Sequence, residues 1–159
     1  MFLDKAPIKV FEDVKVVPFE GWHLEWLAPN QDAMRSMMNL PTNAIDHGKV
    51  LATYGRAWTG LRKGRVIGSA GIIPLQPGVY DLWMYLGSDT FDKKKLAMKI
   101  FKYYLFKSIK ELKIHRLQAV VKEDYCQGIR FAEFFGFENE GVMKCYGPNK
   151  ENFIRYAKT

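Results

Sequence analysis

Between residues 96 and 112 apolar side chains return every three or four positions: Leu96, Ile100, Tyr104 and Ile109, with Ala97, Phe101, Leu105 and Leu112 beside them. That spacing draws one wide apolar stripe along a helix, which we place from Thr90 to about Leu112. Lys93, Lys94, Lys95, Lys99, Lys102, Lys107 and Lys110 fall largely off the stripe. On either side the pattern changes. Val79–Leu86 (VYDLWMYL) is a β-prone run carrying one acid, Asp81, and Arg116–Val121 (RLQAVV) reads as a short strand. Gln127–Phe135 is a short amphipathic helix, and Gly136 stops it in a left-handed turn. A helix linking two strands is a crossover connection, so 79–86 and 116–121 should be parallel or near neighbours.

The remaining segments extend this order. Val14–Phe19 is a β-branched run and the first expected strand. Residues 22–38 fit one or two short helices broken at Pro29, and Thr42 or Asn43 can cap a helix that Gly55 ends after Tyr54. Ala57–Leu61 and Arg65–Ile73 make an antiparallel hairpin through the tight turn Arg62-Lys63-Gly64, with Pro74 and Pro77-Gly78 breaking its second strand. Gly141–Tyr146, the turn Gly147-Pro148-Asn149 and Asn152–Ala157 form a terminal hairpin. No repeat, low-complexity tract or Pro/Ser linker divides the chain, so residues 1–159 read as one domain of α/β (α+β) class.

Composition narrows the setting. At 159 residues and 48% apolar content, the chain can bury a core without disulfides or metals. The two cysteines, Cys126 and Cys145, show no metal spacing and no disulfide framework, which points to a reducing compartment. The N-terminus lacks the apolar stretch of a signal peptide, and no apolar run reaches membrane-spanning length; a cytoplasmic protein is expected. The net charge of +7 favours an anionic partner. No RNP, KH, zinc-finger or helix-turn-helix pattern supports nucleic acid in that role.

The charge matters most where it meets a helix start. Leu86-Gly87-Ser88-Asp89-Thr90-Phe91-Asp92-Lys93-Lys94-Lys95 places three lysines in the first turn of the long helix, where unpaired N–H groups already favour an anion. An ordinary solvated lysine face is the competing reading, and Asp89 and Asp92 complement the helix dipole as well. Asp81 can act as a general base if it faces the cleft between the two crossover-linked strands, and otherwise it faces solvent. His23, His47 and His115 lack metal spacing and read as surface or capping histidines. Cys126, beside Tyr125 at a helix start, lacks a base partner, and Met34, Met37 and Met38 read as core or groove lining. No GxSxG or Walker-type loop is present.

The turn Lys122-Glu123-Asp124-Tyr125 and the run Gly128-Ile129-Arg130-Phe131-Ala132-Glu133-Phe134-Phe135-Gly136-Phe137, followed by a hairpin, resemble the second half of the GNAT (Gcn5-related N-acetyltransferase) fold. The hairpin, strand and long helix before them match its first half in order and length. The resemblance implies a mixed, twisted sheet whose parallel pair splays into a cofactor cleft, with about four helices around it. It implies acetyl-CoA as cosubstrate and an amine-bearing acceptor. Backbone groups of Tyr85, Leu86 and Gly87 would meet the pantetheine arm, and Lys93, Lys94, Lys95, Leu96 and Ala97 the pyrophosphate. Asp81 and Tyr125 would be the catalytic candidates.

Against the family's pyrophosphate loop, Gln/Arg-x-x-Gly-x-Gly/Ala, only Ala97 conforms; Lys95 stands at the glycine and Asp92 at the Gln/Arg. The family's thiolate-protonating tyrosine falls on Ala132, and Tyr125 is the nearest replacement. The combination of Trp83, Leu86-x-Ser88-Asp89, the lysine-rich helix and Ile129-Arg130-Phe131 is also similar to small phage-encoded GNAT-like proteins. That likeness implies a second reading, a virion or interaction protein without catalysis. A homodimer through an edge strand is a habit of the family.

Overall fold

The computed structural model describes residues 8–27, 44–87 and 94–159. Eight strands make one sheet in the order β1-β2-β3-β4-β5-β6-β8-β7. They are β1 (Lys9–Phe11), β2 (Val14–Pro18), β3 (Arg56–Arg62), β4 (Arg65–Gln76), β5 (Val79–Leu86), β6 (Arg116–Lys122), β7 (Glu138–Met143) and β8 (Phe153–Lys158). Four helices accompany them among the described residues: α1 (His23–Leu27), α2 (Ala44–Tyr54), α3 (Lys94–Glu111) and α4 (Cys126–Phe134). Every neighbouring pair of strands is antiparallel except β5 and β6, which α3 connects in parallel.

The expected hairpin closes at Lys63 and Gly64, both with positive φ, which lets the turn follow the right-handed twist of β3 and β4. Pro74 does not break β4, contrary to expectation. It pairs opposite Tyr80 next to a bulge and the strand continues to Gln76, because proline is tolerated where the ladder is already interrupted. The chain then reverses through Pro77-Gly78, with Gly78 at φ +78°. β1 was not anticipated. The last hairpin runs 138–143 and 153–158, with its first strand three residues earlier than expected. Gly136 adopts φ +78° and ends α4 as expected. The region 28–43, including Pro29, the three methionines and the Thr42 and Asn43 caps, lies outside the described residues, as does Thr90.

The sheet separates two cores. Tyr80, Leu82 and Met84 of β5 face α3 and α4, packing with Leu96, Ile100, Phe101, Tyr104 and Phe135. Trp83 and Tyr85, on the alternate positions, face a smaller core with Phe19, Leu24, Leu27 and Leu51. Aromatic packing dominates the first core: Trp58 stacks on Tyr104 at 5.2 Å and 19°. In the second, His23 is buried and not on the surface, and it fills the capping role expected as the alternative. Its Nδ1 accepts the Glu20 N–H at 3.0 Å and lies 2.8 Å from the Thr59 hydroxyl, which bonds on to Ser69 at 2.9 Å. Burial lowers its pKa and keeps the ring neutral.

Gly55 ends α2 after Tyr54 as expected, without adopting a positive φ. A Cβ there would lie 2.1 Å from the Ile72 carbonyl oxygen, so close approach of backbone to β4 demands the glycine. Gly55→Ala should therefore cost about 1–3 kcal/mol through displacement of backbone. A chemical melt in which the midpoint does not move would show that β4 can give way.

Candidate active site

β5 and β6 pair only at Val79/Arg116, Tyr80/Leu117 and Asp81/Gln118. Beyond that point β5 stays with β4 as far as Leu86, and β6 stays with β8 as far as Lys122. The two strands therefore part after Asp81 and Gln118, leaving a gap between 82–86 and 119–122. Amide direction alternates along a strand, and the Gly87 N–H donates to the Ile67 carbonyl at 2.8 Å, toward β4. Tyr85 shares that direction, opposite Ser69. The backbone groups of Met84 and Leu86 consequently point into the gap, where no strand among the described residues pairs with them.

The helices finish the cleft. α3 returns the chain from the C-terminal end of β5 to the start of β6, so it runs opposite to both strands and its first turn lies at the open end of the gap. α4 begins after the C-terminal end of β6, at the same end. Its N-cap residue Tyr125 makes no side-chain cap, which leaves the first amides of α4 without a side-chain acceptor. Two positive helix ends thus border one opening.

The expected site residues fall at distinct places around this gap. Asp81 sits at the closed end, partly buried, with its side chain on the face away from α3 and α4. Burial raises its pKa, while Arg155 and a hydrogen bond from Gln118 pull it back down. Tyr125 lies at the open end, its ring packed on Gly128 and its hydroxyl 3.4 Å from the Gln127 side chain. Burial raises its pKa also. Lys95 is exposed in the first turn of α3, Leu96 is buried in the core and Ala97 is half-buried. Lys94 opens the helix. Lys93 lies outside the described residues.

Tyr85 is buried, and its hydroxyl meets His47 Nε2 at 3.0 Å. Burial raises the tyrosine pKa and lowers that of His47, so a neutral pair shares one proton-bearing contact between α2 and β5. His47 is therefore a partner of the β5 strand, not the surface or capping residue expected of it. Ala132 is buried among Phe131, Phe135 and Phe137, so the position where the family carries its tyrosine is part of the core.

Sequence reasoning missed the surroundings of Asp81. Gln118 faces it across the last pair, and Arg155 of β8 and Tyr146 of the β7–β8 loop complete a small recess with Leu75 and Val120. Only the strand register brings these together, and the register is fixed by tertiary pairing. Among the described residues no group of three His, Cys, Asp or Glu is placed to hold a metal ion. No helix among them is long and apolar enough to cross a membrane.

No family model matches the chain, and no curated protein matches it by sequence. Solved structures do. A ribosomal-protein-S5-alanine acetyltransferase from Vibrio fischeri superposes with a TM-score of 0.76 at 15% identity, covering 96% of each chain. A GCN5-related N-acetyltransferase from Brucella melitensis gives 0.73 at 14% identity, over 96% of this chain and 78% of that one. The ribosomal L7/L12 alpha-N-protein acetyltransferase RimL, solved in complex with coenzyme A, gives 0.77 at 13% identity, over 96% and 97%. At these identities the likeness is one of architecture: this chain has the GNAT fold.

Proposed function

We propose that the protein is an N-acyltransferase that moves an acetyl group from acetyl-CoA to an amine. The observation that carries this reading is the parting of β5 and β6 after Asp81 and Gln118, which leaves the Met84 and Leu86 backbone groups facing an open gap. An extended amide-bearing arm can pair with such groups as an added strand would. The phosphates of CoA would then lie at the open end, near the first turns of α3 and α4, with Lys95 adding positive charge. Lysine replaces the family's glycine at Lys95, so side-chain charge would do part of what backbone N–H groups do elsewhere. The solved RimL complex shows that a protein of this architecture binds coenzyme A.

In the reaction the amine nitrogen attacks the thioester carbonyl, the C–S bond breaks, the nitrogen loses a proton and the thiolate gains one. Asp81, at the closed end, would take the amine proton directly or through a water. The thiolate would gain its proton from water, because Tyr125, expected as the donor, stands at the open end with the phosphates, a strand's length from Asp81. Positioning provides the rest of the acceleration.

Acetyl-CoA should raise the melting temperature, because it binds only the folded state. No shift at millimolar cofactor would remove this reading. Lys95→Glu should weaken acetyl-CoA roughly 3- to 10-fold at low salt, with the difference shrinking as salt rises. Unchanged affinity in a titration would place the phosphates away from α3.

A further inference from the structure

The recess beside Asp81 has a polar floor and apolar lips. Asp81, Gln118 and Arg155 line it, Leu75 and Tyr146 flank it, and its volume is about 80 Å³. Leu75 and Tyr146 are 53% and 47% exposed, although each is a large apolar side chain that could have been turned inward. The two arginines on this face differ in their commitments. Arg116 is held by Glu140 in a two-pronged pair at 2.9 and 2.5 Å, and it also reaches Gln118 at 3.2 Å. The Arg155 side chain makes no hydrogen bond among the described residues, though its charge is felt by both Asp81 and Glu140. A half-buried guanidinium with an uncommitted donor fork beside a carboxyl group calls for an anion of matching planar shape.

We propose that this recess is the acceptor subsite, that Arg155 is its specificity-determining residue, and that the acceptor is an amino acid with an apolar side chain. Its amine meets Asp81, its carboxylate meets the Arg155 fork, and its side chain lies between Leu75 and Tyr146. The recess opens on the sheet face away from α3 and α4, at the closed end of the gap, so the acceptor and the CoA arm approach the same point from different directions. This assignment rests on the acyl-transfer reading, and it fixes what that reading leaves open. An acceptor without the carboxylate would forfeit the charge-assisted pair with the guanidinium, and that loss is the source of discrimination.

The experiment follows thiol release from acetyl-CoA with L-leucine, L-methionine and L-phenylalanine, each against its C-terminal amide. For the unmodified protein, kcat/KM should favour the carboxylate over the amide by about 10- to 100-fold. In Arg155→Gln that ratio should fall to about one, and Arg155→Lys should restore part of it. The acetyl-CoA-induced melting shift should persist in both variants, which shows that they fold and keep the cofactor cleft. Equal use of acids and amides, or a ratio that Arg155→Gln leaves intact, overturns the assignment. So does a protein that binds acetyl-CoA yet acetylates none of the three acids. If acetyl-CoA itself causes no shift, the acyl-transfer reading fails first and takes this one with it.

Discussion

Asp81→Asn is expected to lower acetyl transfer by about 10²- to 10⁴-fold while leaving the acetyl-CoA melting shift in place. Asp81 occupies the last pair before β5 and β6 part, next to where an acyl group at the closed end of the gap would lie. The amide is nearly the same size and can keep the hydrogen bond with Gln118, but it cannot take a proton. Burial raises the Asp81 pKa, so the active carboxylate form appears at a higher pH than it would for a free aspartate. The rate of the unmodified protein should therefore climb with pH through that raised value, and this acid limb should be absent from the variant.

Stability should move the opposite way. A carboxyl group whose pKa is raised on folding favours the folded state below its unfolded pKa, and that advantage is lost as pH rises through the folded value. At neutral pH Asp81 is thus a cost, and Asp81→Asn should melt at or above the temperature of the unmodified protein. A variant that keeps its rate within threefold, or one that melts lower and loses acetyl-CoA binding, would remove Asp81 from the chemistry.

The order of elements around this aspartate was legible in the sequence because it depends on local pattern. The stripe on α3, the hairpin turn at Lys63-Gly64 and the left-handed Gly136 each follow from a few neighbouring residues. Pro74 was misread because a proline rule for strand interiors was applied at a bulge, and a bulge is visible only once β4 and β5 are paired. The burial of His23 was missed for a similar reason: its polar partner Thr59 lies 36 residues away, on β3.

The site was legible only in part. Asp81 stood out as a lone acid in an apolar strand, but nothing local announces that Arg155 and Tyr146 arrive beside it from β8 and its loop. The backbone direction of Met84 and Leu86 depends on the β4–β5 register, which is why the expected Tyr85, Leu86 and Gly87 triplet divides between the two edges of β5. The residues behind the phage likeness have a plainer account. Trp83 and Phe131 pack into the two cores, so part of that pattern records packing.

The second large effect should come from Phe101→Ala, with a loss of about 3–5 kcal/mol. Phe101 is 4% exposed and meets two other elements through three rings: Phe131 and Phe135 at 4.9 Å each, from α4 and its C-terminal end, and Trp58 at 6.4 Å, from β3. Truncation leaves a void walled by rings that the sheet and α4 hold in place, so collapse can recover little of it. Against a typical total of about 5–15 kcal/mol, the loss is a large share of stability. For a chain of this size it corresponds to a fall in melting temperature of roughly 6–20 °C. Phe101→Leu keeps most of the volume and should cost far less, which separates the void from any general intolerance at the position.

The same substitution should reach the cleft. Phe101 packs α3 on α4 through Phe131 and Phe135, and the first turns of those two helices border the open end of the gap. Loosening that contact should weaken acetyl-CoA more in Phe101→Ala than in Phe101→Leu, measured as affinity well below either variant's melting temperature. If both variants bind acetyl-CoA as the unmodified protein does, the two helix starts are held in place by the strands that precede them, and the aromatic cluster serves stability alone.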